Sequence, residues 1–217
     1  MGNIPRLKRG DHLLLATHNA GKVSEFRELF TPLGLVLISA ADLGLPEPVE
    51  TGTTFVENAR LKAHAAAEAA NMIALADDSG LCVDAIGGEP GVYTADWAHT
   101  PNGRDYQMAM KRVEDRLQAV GADSPGKRKG SFNATLCLAH PDGRDDLYEG
   151  KAIGTLVWPP RGTQGFGFDP VFMPDGFDIT FGEMPSSDKH SWSPGQVGLS
   201  HRAKAFARFV EGAVELS

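Results

Sequence analysis

The chain has little of several features that would assign it to a specialised class of protein. Only two cysteines, Cys82 and Cys137, are present, which gives neither a disulfide framework nor a cysteine-based metal site. No stretch approaches the roughly 18 consecutive apolar residues that a membrane helix needs. Lys and Arg number 21 against 28 Asp and Glu, and the net charge of −7 argues against a protein that coats nucleic acid. We therefore expect a protein of the reducing cytoplasm with no nucleic-acid or membrane partner.

The composition that remains is that of an ordinary globular protein. Of the 217 residues, 41% are hydrophobic and 23% charged, enough for one large α/β domain or two small lobes that share a core. We treat residues 1–217 as a single domain. An acidic protein can still bind one small anion if lysines, arginines and backbone N–H groups are clustered locally.

The periodicity of apolar residues in the first half predicts alternating strands and helices. Strands are predicted over residues 12–17, 35–39 and 72–76, and the last of these should deliver residues 77–80 into a loop. Thr54 fits the start of a capping box, so a long Ala-rich helix should begin there.

The second half predicts an amphipathic helix over residues 106–120, followed by a half-buried strand near 132–138. A turn then leads to a partner strand over 147–156, another strand is expected at 168–172, and a last helix begins at Ser200. Helices mixed with strands and a central hairpin indicate an α/β fold with a mixed sheet.

The first candidate site is the turn between the first strand and the first helix, residues 17–22. Gly21 lets the backbone approach a ligand, a helix N-terminus favours an anion, and Lys22 adds a mobile positive charge. The glycine spacing is not that of a Walker loop. An Asn19-capped helix with a surface lysine explains the same residues equally well.

The second candidate site is the acidic segment that follows the third strand. Two adjacent carboxylates, Asp77 and Asp78, are costly there unless they bind a metal or are fully hydrogen-bonded. Hard oxygen ligands select Mg²⁺, and a carboxylate beside it could orient a water for attack on phosphorus. Glu50 is the candidate second acidic group. The alternative is a turn in which Asp78 and Ser79 cap backbone groups.

Two further segments combine aromatic, acidic and basic residues. Glycines flank Phe166 and free its ring to stack on a base, and Asp169 can accept from ribose or base N–H groups. A buried phenylalanine in a glycine-rich corner is the alternative. Ser200 is a good N-cap for the last helix, whereas His201 and Arg202 can donate to a carbonyl or a phosphate.

Together these segments resemble the inosine triphosphate pyrophosphatase family, the pyrophosphatases of non-standard purine nucleotides. Six matching stretches occur in the family's order and span nearly the whole chain. They are residues 16–22, 50–59, 76–84, 90–93, 165–170 and 200–203. Each stretch alone is a weak signal, but six in order are very specific.

The resemblance implies a fold, a reaction and a set of site residues. The fold would be α/β, an elongated mixed β-sheet with flanking helices and two lobes around a central active-site cleft, in a homodimer. The reaction would convert ITP, dITP or XTP into the monophosphate and pyrophosphate. Asp78 would be the catalytic proton acceptor and would bind Mg²⁺. The substrate-binding residues would be Thr17, His18, Asn19, Ala20, Gly21, Lys22, Ser79, Phe166, Gly167, Phe168, Asp169, Lys189, His201 and Arg202.

The chain departs from the family pattern at two places that bear on the site. Many relatives have two acidic residues where this chain has Val49 and Glu50, so Glu50 is assigned as the second metal ligand, with nearby Glu47 as the alternative. The segment 190–199, between Lys189 and Ser200, is longer than usual. Two rival functions remain open, a related-fold pyrophosphatase for pyrimidine or methylated nucleotides and a non-catalytic nucleotide sensor.

Overall fold

Short apolar runs in the first third of the chain form three parallel strands. In the computed structural model, which describes residues 5–216, β1 (His12–Leu15) pairs in parallel with β2 (Val36–Ser39) and with β3 (Ala74–Val83). Helices α1 (Ala20–Phe30) and α2 (Phe55–Ala70) connect them. Both helices begin as the sequence indicates. The Asn19 side chain accepts from the backbone of Gly21 and Lys22, and Thr54 forms a capping box with Glu57.

The second half of the chain completes the sheet with antiparallel strands. The long hairpin of β6 (Lys129–Ala139) and β7 (Asp145–Leu156) pairs with β3 on one side and with β8 (Phe172–Pro174) on the other. The strand order is β2-β1-β3-β6-β7-β8, so the predicted mixed sheet and its hairpin are confirmed. The other α-helices and strands of residues 5–216 are α3 (Tyr106–Ala119), α4 (Ser186–His190), α5 (His201–Ala213) and two small hairpins. These hairpins pair β4 (His99–Thr100) with β5 (Gly103–Arg104) and β9 (Trp192–Ser193) with β10 (Gln196–Val197).

Three apolar clusters cover the two faces of the sheet and its far end. Side chains of α1 and α5 pack on one face, for example Phe30 against Phe206 and Phe209. Alanines of α2 pack on the opposite face. A third cluster lies beneath α3 at the open end of the β6–β7 hairpin, away from its turn. None of the helices between residues 5 and 216 is long and apolar enough to cross a membrane.

Two sequence predictions about strands are wrong. Residues 77–80 do not lie in a loop but in the middle of β3, because the antiparallel register with β6 continues without a break to Val83. Residues 168–172 form mainly a 3₁₀ turn over Asp169–Val171, and only Phe172 continues into β8. Pro170 lacks the N–H group that a paired strand would use there.

Candidate active site

The cleft lies where β3 loses one of its neighbours. Strand β1 ends at Leu15, whereas β3 continues to Val83, so among the described residues the edge of β3 has no paired strand between Leu75 and Cys82, where a bridge to Pro90 begins. The resulting cavity has a volume of about 610 Å³. Such an interruption between parallel strands is where open α/β sheets bind ligands.

Most of the predicted site residues line this cavity. They are Thr17, His18, Asn19, Lys22, Glu50, Asp78, Ser79, Phe166, Gly167, Phe168, Asp169, His201 and Arg202. Gly21 and Lys189 lie outside the lining. Ala20 begins α1, and its side chain is outside the described part of the structure. His18 also fixes the cavity rim, since its Nε2 lies 2.7 Å from the carbonyl oxygen of Leu45.

Asp77 and Asp78 point to opposite faces of the sheet because successive residues of a strand alternate. Asp77 faces α1 and α5. It is fully shielded from solvent, 2.7 Å from the Lys22 ammonium and 3.3 Å from Arg202. Arg202 also donates to Glu25 at 2.6 Å and to the Ser79 hydroxyl at 3.1 Å. Burial raises the pKa of Asp77, but the charges of Lys22 and Arg202 outweigh it and lower the pKa well below its usual range.

Asp78 faces α2 and has different surroundings. Its Oδ1 accepts from Lys62 at 2.8 Å, and the same ammonium donates to Glu50 at 2.7 Å. Burial raises the pKa of Asp78 to about 6, although the Lys62 charge opposes the shift. At neutral pH this carboxylate is therefore mostly ionised but much more basic than an ordinary aspartate, as a general base should be.

Lys62 is a site residue that sequence reasoning missed. It lies on the alanine-rich stripe of α2 that packs on the sheet, and its side chain is only 9% exposed. A lysine at a core position of an amphipathic helix was the available signal, because lysine is almost never fully buried unless paired. Its pKa is raised, since Asp78 and Glu50 outweigh the effect of burial.

Asp78 and Glu50 are the acidic residues of the cavity that could hold part of the coordination shell of a cation. Among residues 5–216, the buried oxygens Oδ1 of Asp77 and Oδ2 of Asp78 accept no hydrogen bond. Between residues 5 and 216, no three His, Cys, Asp or Glu side chains form a cluster that could hold a metal ion. Asp78 and Glu50 would thus supply only part of an octahedral Mg²⁺ shell, which phosphate oxygens and waters usually complete.

The other end of the cavity is aromatic. Phe166 is 51% exposed on its glycine-rich loop, as a stacking platform requires, whereas Phe168 is buried against Tyr106. Gly165 has a φ of +81°, and a Cβ there would lie 2.0 Å from Asp169 Oδ2. The loop therefore rests directly on the Asp169 carboxylate, which Lys189 holds at 2.9 Å.

Two polar residues at the start of α5 keep unsatisfied groups near the cavity. His201 stacks on Phe132 at 5.0 Å, and its buried Nδ1 has no hydrogen-bond partner within residues 5–216. Arg202 has its terminal nitrogens paired, but its buried Nε is free of partners among the described residues. Burial, reinforced by the Arg202 charge, lowers the pKa of His201 well below its usual value, so its imidazole is neutral.

The fold and the cleft together define a mixed-sheet α/β protein with a site suited to a small anion that carries an aromatic base. The chain belongs to the Ham1 family, whose model matches residues 13–212. It is 60% identical to a dITP/XTP pyrophosphatase of Mesorhizobium japonicum over 95% of both chains. A Brucella melitensis dITP/XTP pyrophosphatase is 56% identical over 97% of both. Among solved structures, a HAM1 protein from Coxiella burnetii superposes with a TM-score of 0.82 at 30% identity, covering 93% of this chain and 97% of that one.

Proposed function

We propose that the protein hydrolyses non-standard purine nucleoside triphosphates, namely ITP, dITP and XTP, to the monophosphate and pyrophosphate. The observation that carries the proposal is the pair of adjacent aspartates. Asp77 organises the cations Lys22 and Arg202 on one face of β3, and Asp78 presents a basic carboxylate on the other. Relatives with 56–60% identity carry the name dITP/XTP pyrophosphatase.

The phosphates would bind where the first turn and α2 approach β3. Thr17, Asn19 and Lys22 line this part of the cavity at the N-terminus of α1, and Lys62 faces them from α2. Asp78 would accept a proton from the attacking water while the water oxygen bonds to the α-phosphorus. The α–β anhydride bond would then break, and pyrophosphate would leave with the bonding electrons.

Mg²⁺ is the cofactor we propose, with Asp78 and Glu50 as its protein ligands. When bound, it would neutralise charge on the phosphate oxygens. Lys62 now lies between these two carboxylates, so its ammonium would have to share them or turn toward the phosphates.

Base selection would follow from the donors at the start of α5. Phe166 would stack on the purine. The Arg202 Nε–H group and, in the tautomer protonated there, Nδ1 of His201 make no hydrogen bond to residues 5–216 and suit the 6-keto oxygen of hypoxanthine and xanthine. Adenine presents an amino group at that position. A donor facing a donor leaves polar groups unpaired, at about 1–3 kcal/mol each. We further propose a homodimer that works in the cytoplasm and removes such nucleotides from the precursor pool.

The test is pyrophosphate release from ITP, dITP, XTP, UTP and ATP, with Mg²⁺ and with excess chelator. Rapid release from the first three, lost with chelator, is the expected result. Preference for UTP would favour a pyrimidine pyrophosphatase, and tight ITP binding without turnover would favour a sensor. Undiminished activity in chelator would refute the magnesium requirement alone. Light scattering of the purified protein tests the dimer.

A further inference from the structure

The long segment between Lys189 and Ser200 folds as a hairpin excursion that leaves its two ends in contact. Leu199 N–H donates to the Asp188 carbonyl at 3.0 Å, and Ser200 N–H donates to the Lys189 carbonyl at 2.9 Å. A Cβ at Gly198 would lie 2.4 Å from the Lys189 carbonyl oxygen, so the backbones of the two ends of the segment are in contact. The end of α4 is thereby fixed against the start of α5, whatever the excursion does.

These two backbone hydrogen bonds, which form the α4–α5 clamp, leave two consecutive side chains in different surroundings. Lys189 is completely buried and donates to Asp169 and to the Phe181 carbonyl at 2.9 and 2.8 Å. It supports the loop that carries Phe166 and does not line the cavity. His190 does line the cavity, and among residues 5–216 its ring makes no hydrogen bond.

The surroundings of His190 determine its protonation state. Burial, followed by the charges of Arg202 and Lys189, lowers the pKa of His190 to about 4. Its neighbours in the cavity wall also include the neutral His201 and the carboxyl group of Asp169. A neutral imidazole offers one N–H donor and one acceptor. One of its two nitrogens can therefore bond the edge of a purine, either accepting from the N1–H group of hypoxanthine or donating to its 6-keto oxygen.

We propose that His190 is a specificity-determining residue that hydrogen-bonds the edge of the purine, and that Lys189 only positions Asp169 and the Phe166 loop. The proposal rests on the proposed function. Three observations support it. His190 shares the cavity wall with Asp169, His201 and Arg202, its ring makes no hydrogen bond to residues 5–216, and the α4–α5 clamp holds it in place.

The experiment compares His190→Phe, His190→Ala and His190→Gln with the wild-type protein, using ITP and ATP as substrates. Ser191→Ala is the matched control, since Ser191 is the next residue of the same segment and its side chain is exposed. We expect Phe and Ala to raise the KM for ITP about fivefold, the effect of one lost neutral hydrogen bond, with kcat nearly unchanged. Gln should restore much of the loss, because its amide keeps a donor and an acceptor. ATP hydrolysis should change little.

Equal proportional losses for ITP and ATP would overturn the proposal, as would an unchanged KM for ITP or a Gln variant no better than Phe. Circular dichroism melting shows whether each variant is folded. If Phe prevents folding, the comparison of Ala with Gln decides. A wild-type protein that releases no pyrophosphate from ITP would instead refute the proposed function. In that case calorimetric ITP binding to the same variants still tests His190.

Discussion

The same substitution at two adjacent residues should lower stability strongly at Asp77 and hardly at all at Asp78. Asp77→Asn removes the one carboxylate in the described part of the chain that pairs with both Lys22 and Arg202, whose side chains are 19% and 3% exposed. Breaking a buried ion pair by removing one partner costs about 3–5 kcal/mol, since the remaining charge is left uncompensated. For a chain of this size that corresponds to a fall in Tm of roughly 6–20 °C.

Asp78→Asn should behave differently because its charge is already disfavoured. A pKa raised from 3.8 to about 6 means that folding works against the ionised form, by about 3 kcal/mol at neutral pH. Asparagine removes this cost, and the loss of the charged hydrogen bond from Lys62 offsets the gain. We expect the Tm of Asp78→Asn to lie within a few degrees of the wild type, while kcat falls at least about a hundredfold through loss of the general base.

Thermal unfolding by calorimetry and pyrophosphate release from ITP, measured on both variants at pH 7.5, check this contrast. A Tm for Asp77→Asn equal to that of the wild type would show that the buried charges are not coupled as described. A Tm for Asp78→Asn as low as that of Asp77→Asn would show that Asp78 is structural. Near-normal kcat in Asp78→Asn would move the catalytic role to another carboxylate.

Three further predictions follow from single contacts. Arg202→Ala should lower kcat/KM for ITP about tenfold or more and leave the poor substrate ATP nearly unchanged, and an equal loss for both would place base reading elsewhere. Gly165→Ala should lower the Tm more than Gly176→Ala, because both glycines have positive φ but only the first would clash, and equal melting temperatures would contradict the close packing of that loop. The pKa of His190 is about 4 in the folded protein, below the 6.5 of an ordinary histidine in the unfolded chain. Below pH 6.5 the unfolded chain therefore binds a proton that the folded protein does not, so this contribution to stability is lost as the pH falls and is fully present above pH 6.5. Between pH 7 and pH 5 the titration of His190 lowers the free energy of unfolding by about 2 kcal/mol. The Tm of His190→Gln should therefore fall less over that range than the Tm of the wild type, and parallel falls would refute the assignment.

The sequence contained enough local information to predict most of the secondary structure. Asn19 and Thr54 are capping residues whose effect is confined to one helical turn, and both helix starts are found as predicted. The apolar periodicity of α3 and α5 likewise depends on residues within the same helix. Local signals of this kind do not depend on what the rest of the chain does.

The strand predictions failed where pairing partners override local composition. Acidic and small residues favour a loop, yet Asp77 and Gly80 remain in β3 because β6 pairs with them throughout. Gly80 is needed there, since a Cβ would lie 2.4 Å from the Gly91 carbonyl oxygen. No local sequence pattern predicts a pairing strand that lies more than fifty residues away in the chain.

By itself the sequence determined which residue types are available for the site: the acidic pair, the lysine after the first turn, the phenylalanine between glycines and the basic start of α5. Only the tertiary structure decided what each of them faces. It placed Asp77 and Asp78 on opposite faces of one strand, brought Lys62 between Asp78 and Glu50, and buried Lys189 while leaving His190 in the cavity. The physical reason is that charge pairing and burial depend on distances between elements far apart in the chain, and those distances exist only after the sheet has assembled.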